Sequence, residues 1–243
     1  MRLKGILLML CLGCSGCAGV IPLRKLTHTP QGTQENVHLD FIHVGQTSRA
    51  EVLEKLKPFD TGVNSEQFFV GRWTSSTWAW FVVTSNAGAG DRHWGTKNLL
   101  LEFDDKGLVK KSENFSDKDL IRELSPVVED YKPAGTTDRM EIMVAPSYLE
   151  GASSKIILSG GSIEFDGVGP RKRRKNFTIP AGKITSIESR NAGGADPLYT
   201  SQVIHFSEVL TPFGGPPRNK IFIRIKMPDL VALLKYVKTN GGH

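Results

Sequence analysis

Three thiols head the groups able to do chemistry: Cys11, Cys14 and Cys17 are every cysteine in the 243 residues. All three follow Arg2, Lys4 and an apolar run over residues 6–12. Charge, then apolar residues, then small residues is the order of an export leader, and the run is too short to span a bilayer. A mature chain starting at Cys17 keeps one thiol, which leaves the folded part without a disulfide, a zinc cluster or a cysteine nucleophile. His28, His38, His43, His93, His205 and His243 show no i, i+4 pair and no carboxylate at metal spacing, so they read as ordinary residues. Asp104-Asp105 precede Gly107 in a predicted hairpin turn, where Asp bonds its own backbone. Ser159-Gly160-Gly161-Ser162 joins two predicted strands rather than a strand and a helix, and Gly193-Gly194 precedes no helix. No set of nucleophile, base and orienting group emerges, and the expectation is a non-enzyme with no cofactor and no metal.

Two further features could serve contact. Arg171, Lys172, Arg173, Arg174 and Lys175 follow Gly169-Pro170 and form a candidate anionic-surface contact, worth about 1 kcal/mol per basic residue near a charged membrane. Trp73, Trp78, Trp80 and Trp94 cluster in the first half; alternate positions 78 and 80 share a strand face, and a core role is favoured for them. Arg72 and Trp94 border predicted turns and are expected to be exposed as partner contacts. The chain carries 31 Lys+Arg against 25 Asp+Glu, and loss of Arg2 and Lys4 with the leader lowers the formal net charge from +6 to +4. That suits an anionic membrane surface and is far from a dedicated nucleic-acid binder.

The leader ends in Ser15-Gly16-Cys17, which resembles the lipobox of bacterial lipoproteins. The resemblance implies a diacylglycerol on the Cys17 thiol and removal of the peptide ahead of it, with Cys14 after Leu12-Gly13 as the competing site. Ala18 after the acylated cysteine, by the same resemblance, favours the outer membrane. Residues 18–37 show no sustained period and contain Pro, Gly, Thr and Gln, which predicts a flexible tether.

Elements that must position these groups begin near residue 38. Ser48 with Glu51 makes a capping box, and Val52, Leu53 and Leu56 share one face of a helix over 48–57 that Pro58 ends. Aromatic and β-branched residues predict a strand over 68–83, a mobile Gly-rich gap follows at 87–90, and strands over 97–103 and 108–115 flank a turn at Gly107. A helix follows Ser116 and is interrupted at Pro126. Val44, Gly45, Thr47, Glu51, Val52, Leu53, Leu56 and Pro58, then Phe103, Asp104, Gly107 and Leu108, give a pattern over about residues 38–115 similar to the SmpA/OmlA (BamE-like) lipoprotein domain. It implies a small sheet covered by helices over residues 38–130 and, by analogy, a part in outer-membrane protein assembly or envelope integrity.

Pro133, Gly135 and their neighbours predict a linker over 131–138. Beyond it, seven short strands are predicted over 139–144, 155–159, 162–166, 176–179, 184–189, 202–207 and 220–226, with one amphipathic helix over 228–239. This run over 139–243 resembles the PH-like (GRAM-type) fold, in which such a helix closes one end of a β-barrel. The expected fold class is therefore α+β, a small BamE-like domain of helices and antiparallel sheet followed by a PH-like β-barrel with a C-terminal helix. The expected function is a membrane-anchored envelope adaptor whose partners are the bilayer, through its amino-terminal lipid, and envelope proteins, with no nucleic acid. The alternative is an anionic-lipid or cell-wall binding module acting through the PH-like region and its basic run.

Overall fold

A computed structural model describes residues 10–12, 16–34, 37–84, 87–132, 139–145, 153–168, 174–190, 197–211 and 217–241. In chain order the first half contains β1 (Leu10–Leu12), β2 (Gly16–Thr29), β3 (Gly32–Gln34), α1 (Arg49–Lys55), β4 (Asp60–Asn64), β5 (Phe68–Thr84), β6 (Gly88–Arg92), β7 (Gly95–Phe103) and β8 (Val109–Phe115). Short helices α2 (Leu120–Glu123) and α3 (Ser125–Asp130) lead to β9 (Arg139–Met143), β10 (Ser153–Ser159), β11 (Ser162–Val168), β12 (Arg174–Pro180), β13 (Ile184–Arg190), β14 (Tyr199–Leu210), β15 (Arg218–Lys226) and α4 (Met227–Asn240). The fold is α+β, with antiparallel strand pairing throughout the described residues.

β5 is the axis of the first sheet, whose order is β1-β2-β5-β7-β8, with β4 and β6 also paired to β5. Successive side chains on a strand point to opposite faces, and both faces of β5 are buried near its start. Phe69 and Trp73 pack with Val52 and Leu56 of the α1 segment and with Leu99 and Leu101 of β7. Phe68 and Val70 face the other way, into a second cluster that takes Leu120 and Leu124 from the α2 region, Ile156 and Phe165 from β10 and β11, and Leu230 and Leu233 from α4. The two halves of the chain therefore share one apolar interior.

α1 starts where the Glu51 amide donates to the Ser48 hydroxyl at 3.3 Å. The reciprocal arm of the capping box is not made, because the Glu51 carboxylate accepts from Lys55 at 2.7 Å instead. The segment ahead of α1 is stitched to the β7–β8 turn: Gly45 donates to the Val109 carbonyl at 2.8 Å, Val109 to that of Thr47 at 2.9 Å, and Arg49 to that of Gly107 at 2.8 Å. Gly107 has φ +73°, a conformation open to glycine at little cost, and Asp104 Oδ1 accepts from the Lys106 and Leu108 amides at 2.9 Å each.

Two expectations fail here. Residues expected as a tether instead form β2, β3 and the turn between them, because β2 finds a backbone partner in β5 over residues 74–84. The Gly-rich gap is β6, an exposed strand against β5 from Ala79↔Arg92 to Val83↔Gly88. Its glycines allow close approach: a Cβ at Gly90 would lie 2.7 Å from the Trp80 carbonyl oxygen and 3.3 Å from Phe81 Cα. Gly90→Ala is expected to cost about 1–3 kcal/mol by overpacking. Hydrogen exchange checks it, with β6 amides expected to exchange roughly tenfold faster or more.

In the second half the seven expected strands are present and pair in the order β12-β11-β10-β9 in a four-stranded sheet and β13-β14-β15 in a three-stranded one. The expected barrel is not formed: among the described residues these are two separate sheets that do not close on one another. They are joined at one corner by the Val144↔Ile225 bridge, and Ala145 donates to the Arg224 carbonyl at 2.8 Å. Phe165 stacks on Phe177 with ring centroids 4.6 Å apart, and Phe206 meets both edge-on at 6.4 Å. α4 lies over this interior with Leu230, Val231 and Leu233 buried, and Lys238 pairs with Glu129 of α3.

Candidate functional site

From residue 77 onward no residue of β5 is buried. There β2, β5 and β6 run out of the sheet as a three-stranded ribbon, with the backbone of Cys17 opposite Val83 at its outer end. Register places Val83, Phe81, Ala79, Gly19 and Ile21 on one face, and Val82, Trp80, Trp78, Ala18, Val20 and Pro22 on the other. Both faces are apolar and reach solvent: Val20 is 51% exposed, Trp80 42% and Val83 49%. The Phe81 ring covers Gly19, where a Cβ would lie 2.6 Å from ring atoms.

At the ribbon's root the character changes. The β2–β5 register shifts between Pro22 and Leu26, and the intervening Arg24 and Lys25 are exposed. Arg92 of β6 lies opposite Ala79, and Asp91, opposite Trp80, is the one carboxylate among the described ribbon residues. Trp78 stacks on His93 at 4.3 Å with the rings 12° apart, and Trp94 packs against His28 at 4.7 Å. Two tryptophan–histidine contacts, one stacked and one tilted by 34°, thus mark the root of the ribbon. Of the tryptophans expected in the core, Trp73 is 5% exposed, whereas Trp78 is half-buried and Trp80 lies open.

Arg72 is not the exposed contact residue expected; it is fully buried. Its guanidinium grips Asp117 with two bonds, Nη1 to Oδ1 at 2.6 Å and Nη2 to Oδ2 at 3.1 Å. Nη1 also donates to Asn98 Oδ1 at 2.7 Å, and Nη2 to the Tyr199 carbonyl at 3.4 Å. Asn98 Nδ2 returns a bond to Asp117 Oδ1 at 3.1 Å. Residues from β5, β7, the turn before α2 and β14 meet at this group, which ties the two halves together. Trp94 is half-buried against His28.

Cys14 lies outside the described residues, as do Arg171, Lys172 and Arg173. Arg174 and Lys175 open β12 opposite Val168 and Gly167, and their side chains are also outside the description. The linker over 131–138 is described only at Tyr131 and Lys132. Among the described residues there is no group of His, Cys, Asp and Glu arranged to hold a metal, and no helix is long and apolar enough to cross a membrane.

Clefts built from segments far apart in the chain escape a reading of the sequence, and two of them involve the helices. One, of about 510 Å³, lies between the β4–β5 turn, α3 and the start of α4, where Ser65 donates to Asp130 at 2.9 Å. Burial pushes the Tyr131 phenol at its edge above its ordinary range, with the Asp229 carboxylate adding to the effect; burial also raises Asp229, against the opposing charge of Lys226. The other, about 290 Å³, is an apolar groove among Ile121, Val128, Ile187, Leu234 and Val237.

No family model matches the chain, and no curated protein or solved structure matches it.

Proposed function

We propose that the chain is a lipid-anchored protein of the bacterial envelope, a non-enzymatic adaptor held by acyl chains on Cys17 at the periplasmic face of the outer membrane. More narrowly, it is a BamE-like domain joined to a PH-like one and serves outer-membrane protein assembly or envelope integrity. One observation carries the reading: the backbone of the lipobox cysteine, Cys17, lies in β2 and in register with Val83 of β5, the longest strand described. A lipid on Cys17 would therefore hold the whole α+β body through hydrogen-bonded backbone, at a fixed height above the membrane. Such a mount suits a protein that presents a surface to neighbours. The α1-to-hairpin stitch supports the BamE-like assignment, and seven antiparallel strands followed by α4 packed on their interior support the PH-like one.

Each buried methylene contributes about 0.8 kcal/mol, so two or three acyl chains anchor durably. Labelled palmitate is expected to enter the wild type and the Cys14→Ala variant and to be lost from Cys17→Ala, which leaves the membrane fraction. Unlabelled wild-type protein in the soluble fraction would sink the anchor. Photo-crosslinkers at positions 44 and 94 in intact cells test the adaptor role: envelope proteins are expected as products, and their absence from both positions counts against it.

A further inference from the structure

We infer that the β2–β5–β6 ribbon is itself a membrane-contact element, with its outer end seated in the interfacial layer of an anionic bilayer beside the acyl chains on Cys17. The inference rests on the anchor reading above and adds a second, protein-borne contact to it.

Both faces of the ribbon are apolar at its outer end, so folding against one protein surface would leave the other face wet. A fluid interface covers both. The sequence of chemistry along the ribbon matches the layers of a bilayer surface. Val82 and Val83 come first, at the end where the Cys17 backbone lies. Trp80 follows three residue pairs on, about 10 Å at the rise of an extended strand, which is the depth of interfacial burial. Indole rings prefer that level because they join an apolar body to a polar N–H. Next come Arg92, Arg24 and Lys25, three cations against the single carboxylate of Asp91, where anionic headgroups would meet them.

Depth is limited by the backbone. Among the described residues β6 pairs only β5, and removal of the residues before Cys17 would take away β1, which pairs β2 from Gly16 to Ala18. Unpaired N–H and C=O groups are not tolerated in hydrocarbon, so only side chains reach the acyl layer while the edges stay among hydrated headgroups.

The test uses the full chain with Cys11→Ala and Cys14→Ala, carrying an environment-sensitive fluorophore at Val82→Cys or, as control, at Lys110→Cys. Lys110 is exposed at the far end of the sheet, beside Glu102. The acylated protein is placed in vesicles of phosphatidylethanolamine and phosphatidylglycerol that contain a lipid-borne quencher. The label at 82 is expected to shift to the blue and be quenched several-fold more strongly than that at 110. With the acyl chains confirmed by mass, equal access of aqueous iodide to both labels overturns the inference and leaves the anchor standing. A label at 82 shielded from iodide yet beyond the lipid-borne quencher marks contact with protein, such as a second copy of this chain, and overturns it too. If mass shows Cys17 unmodified, the anchor fails, and the labelled chain with Cys17→Ser, mixed with the same vesicles, decides alone: quenching at 82 upholds the ribbon contact and iodide access equal to that at 110 refutes it.

Discussion

Arg72→Met is expected to lower stability by about 3–5 kcal/mol, the usual cost of breaking a buried ion pair from one side. Asp117 would be left charged at 1% exposure, with only Asn98 Nδ2 still donating to it among the four partners of the network. In a chain of this size, 1 kcal/mol moves the melting temperature by about 2–4 °C, so a fall of roughly 6–20 °C should appear in a thermal melt. The double variant Arg72→Met with Asp117→Leu separates the cost of an orphaned charge from the worth of the pair. Replacing both partners by apolar groups of similar volume is often neutral or stabilising. Most of the lost melting temperature is therefore expected back. A single variant as stable as wild type would mean that water reaches Asp117 and that the network does not hold the halves together.

Separating the halves within residues 133–138 is expected to abolish folding of the first half rather than release a stable domain. Val63, Phe68, Val70, Leu100, Leu120 and Leu124 belong to the same cluster as Ile156, Ile204 and Leu230. Re-exposing three or four such side chains costs about 5–10 kcal/mol, comparable to the whole stability of a typical domain. The intact chain should melt in a single transition by calorimetry, and residues 17–132 alone, which keep β2 beside β5, should show no cooperative transition and bind a hydrophobic dye. A sharp melt of that fragment would refute a shared interior.

What could be read from the amino acids depended on whether the signal was local. β15 was legible because Ile221, Ile223 and Ile225 recur at every second position of a run rich in β-branched and aromatic residues, with Lys220, Arg224 and Lys226 on the other face beside Phe222, and the β10–β11 hairpin because Gly160-Gly161 can take the positive φ of 54° and 74° that they have. α1 was legible from Ser48 and its apolar stripe. β2 was not, since its period breaks between Pro22 and Leu26 and its partner lies some fifty residues on. A charged residue in a strand reads as exposed, so Arg72 was misjudged. The available signal was its period: Phe68, Val70, Arg72 and Thr74 occupy one strand face, and all are buried. Asp117, its counter-charge, carried no local sign of being drawn inside. The ribbon's two apolar faces were visible as aromatic content, but not their exposure, which depends on where the body of the sheet stops.

The position of α4 in the chain has a consequence for biogenesis. A ribosome delivers residues in order from the amino terminus, yet Leu230, Val231 and Leu233 are needed to seal the interior that Phe68 and Val70 open. Until the last segment emerges, strands synthesised long before must wait with apolar side chains and hydrogen-bonding edges uncovered, a state prone to aggregation. A chain in which α4 has yet to dock is thus held in an aggregation-prone state, and deletion of residues 227–240 is expected to leave it there.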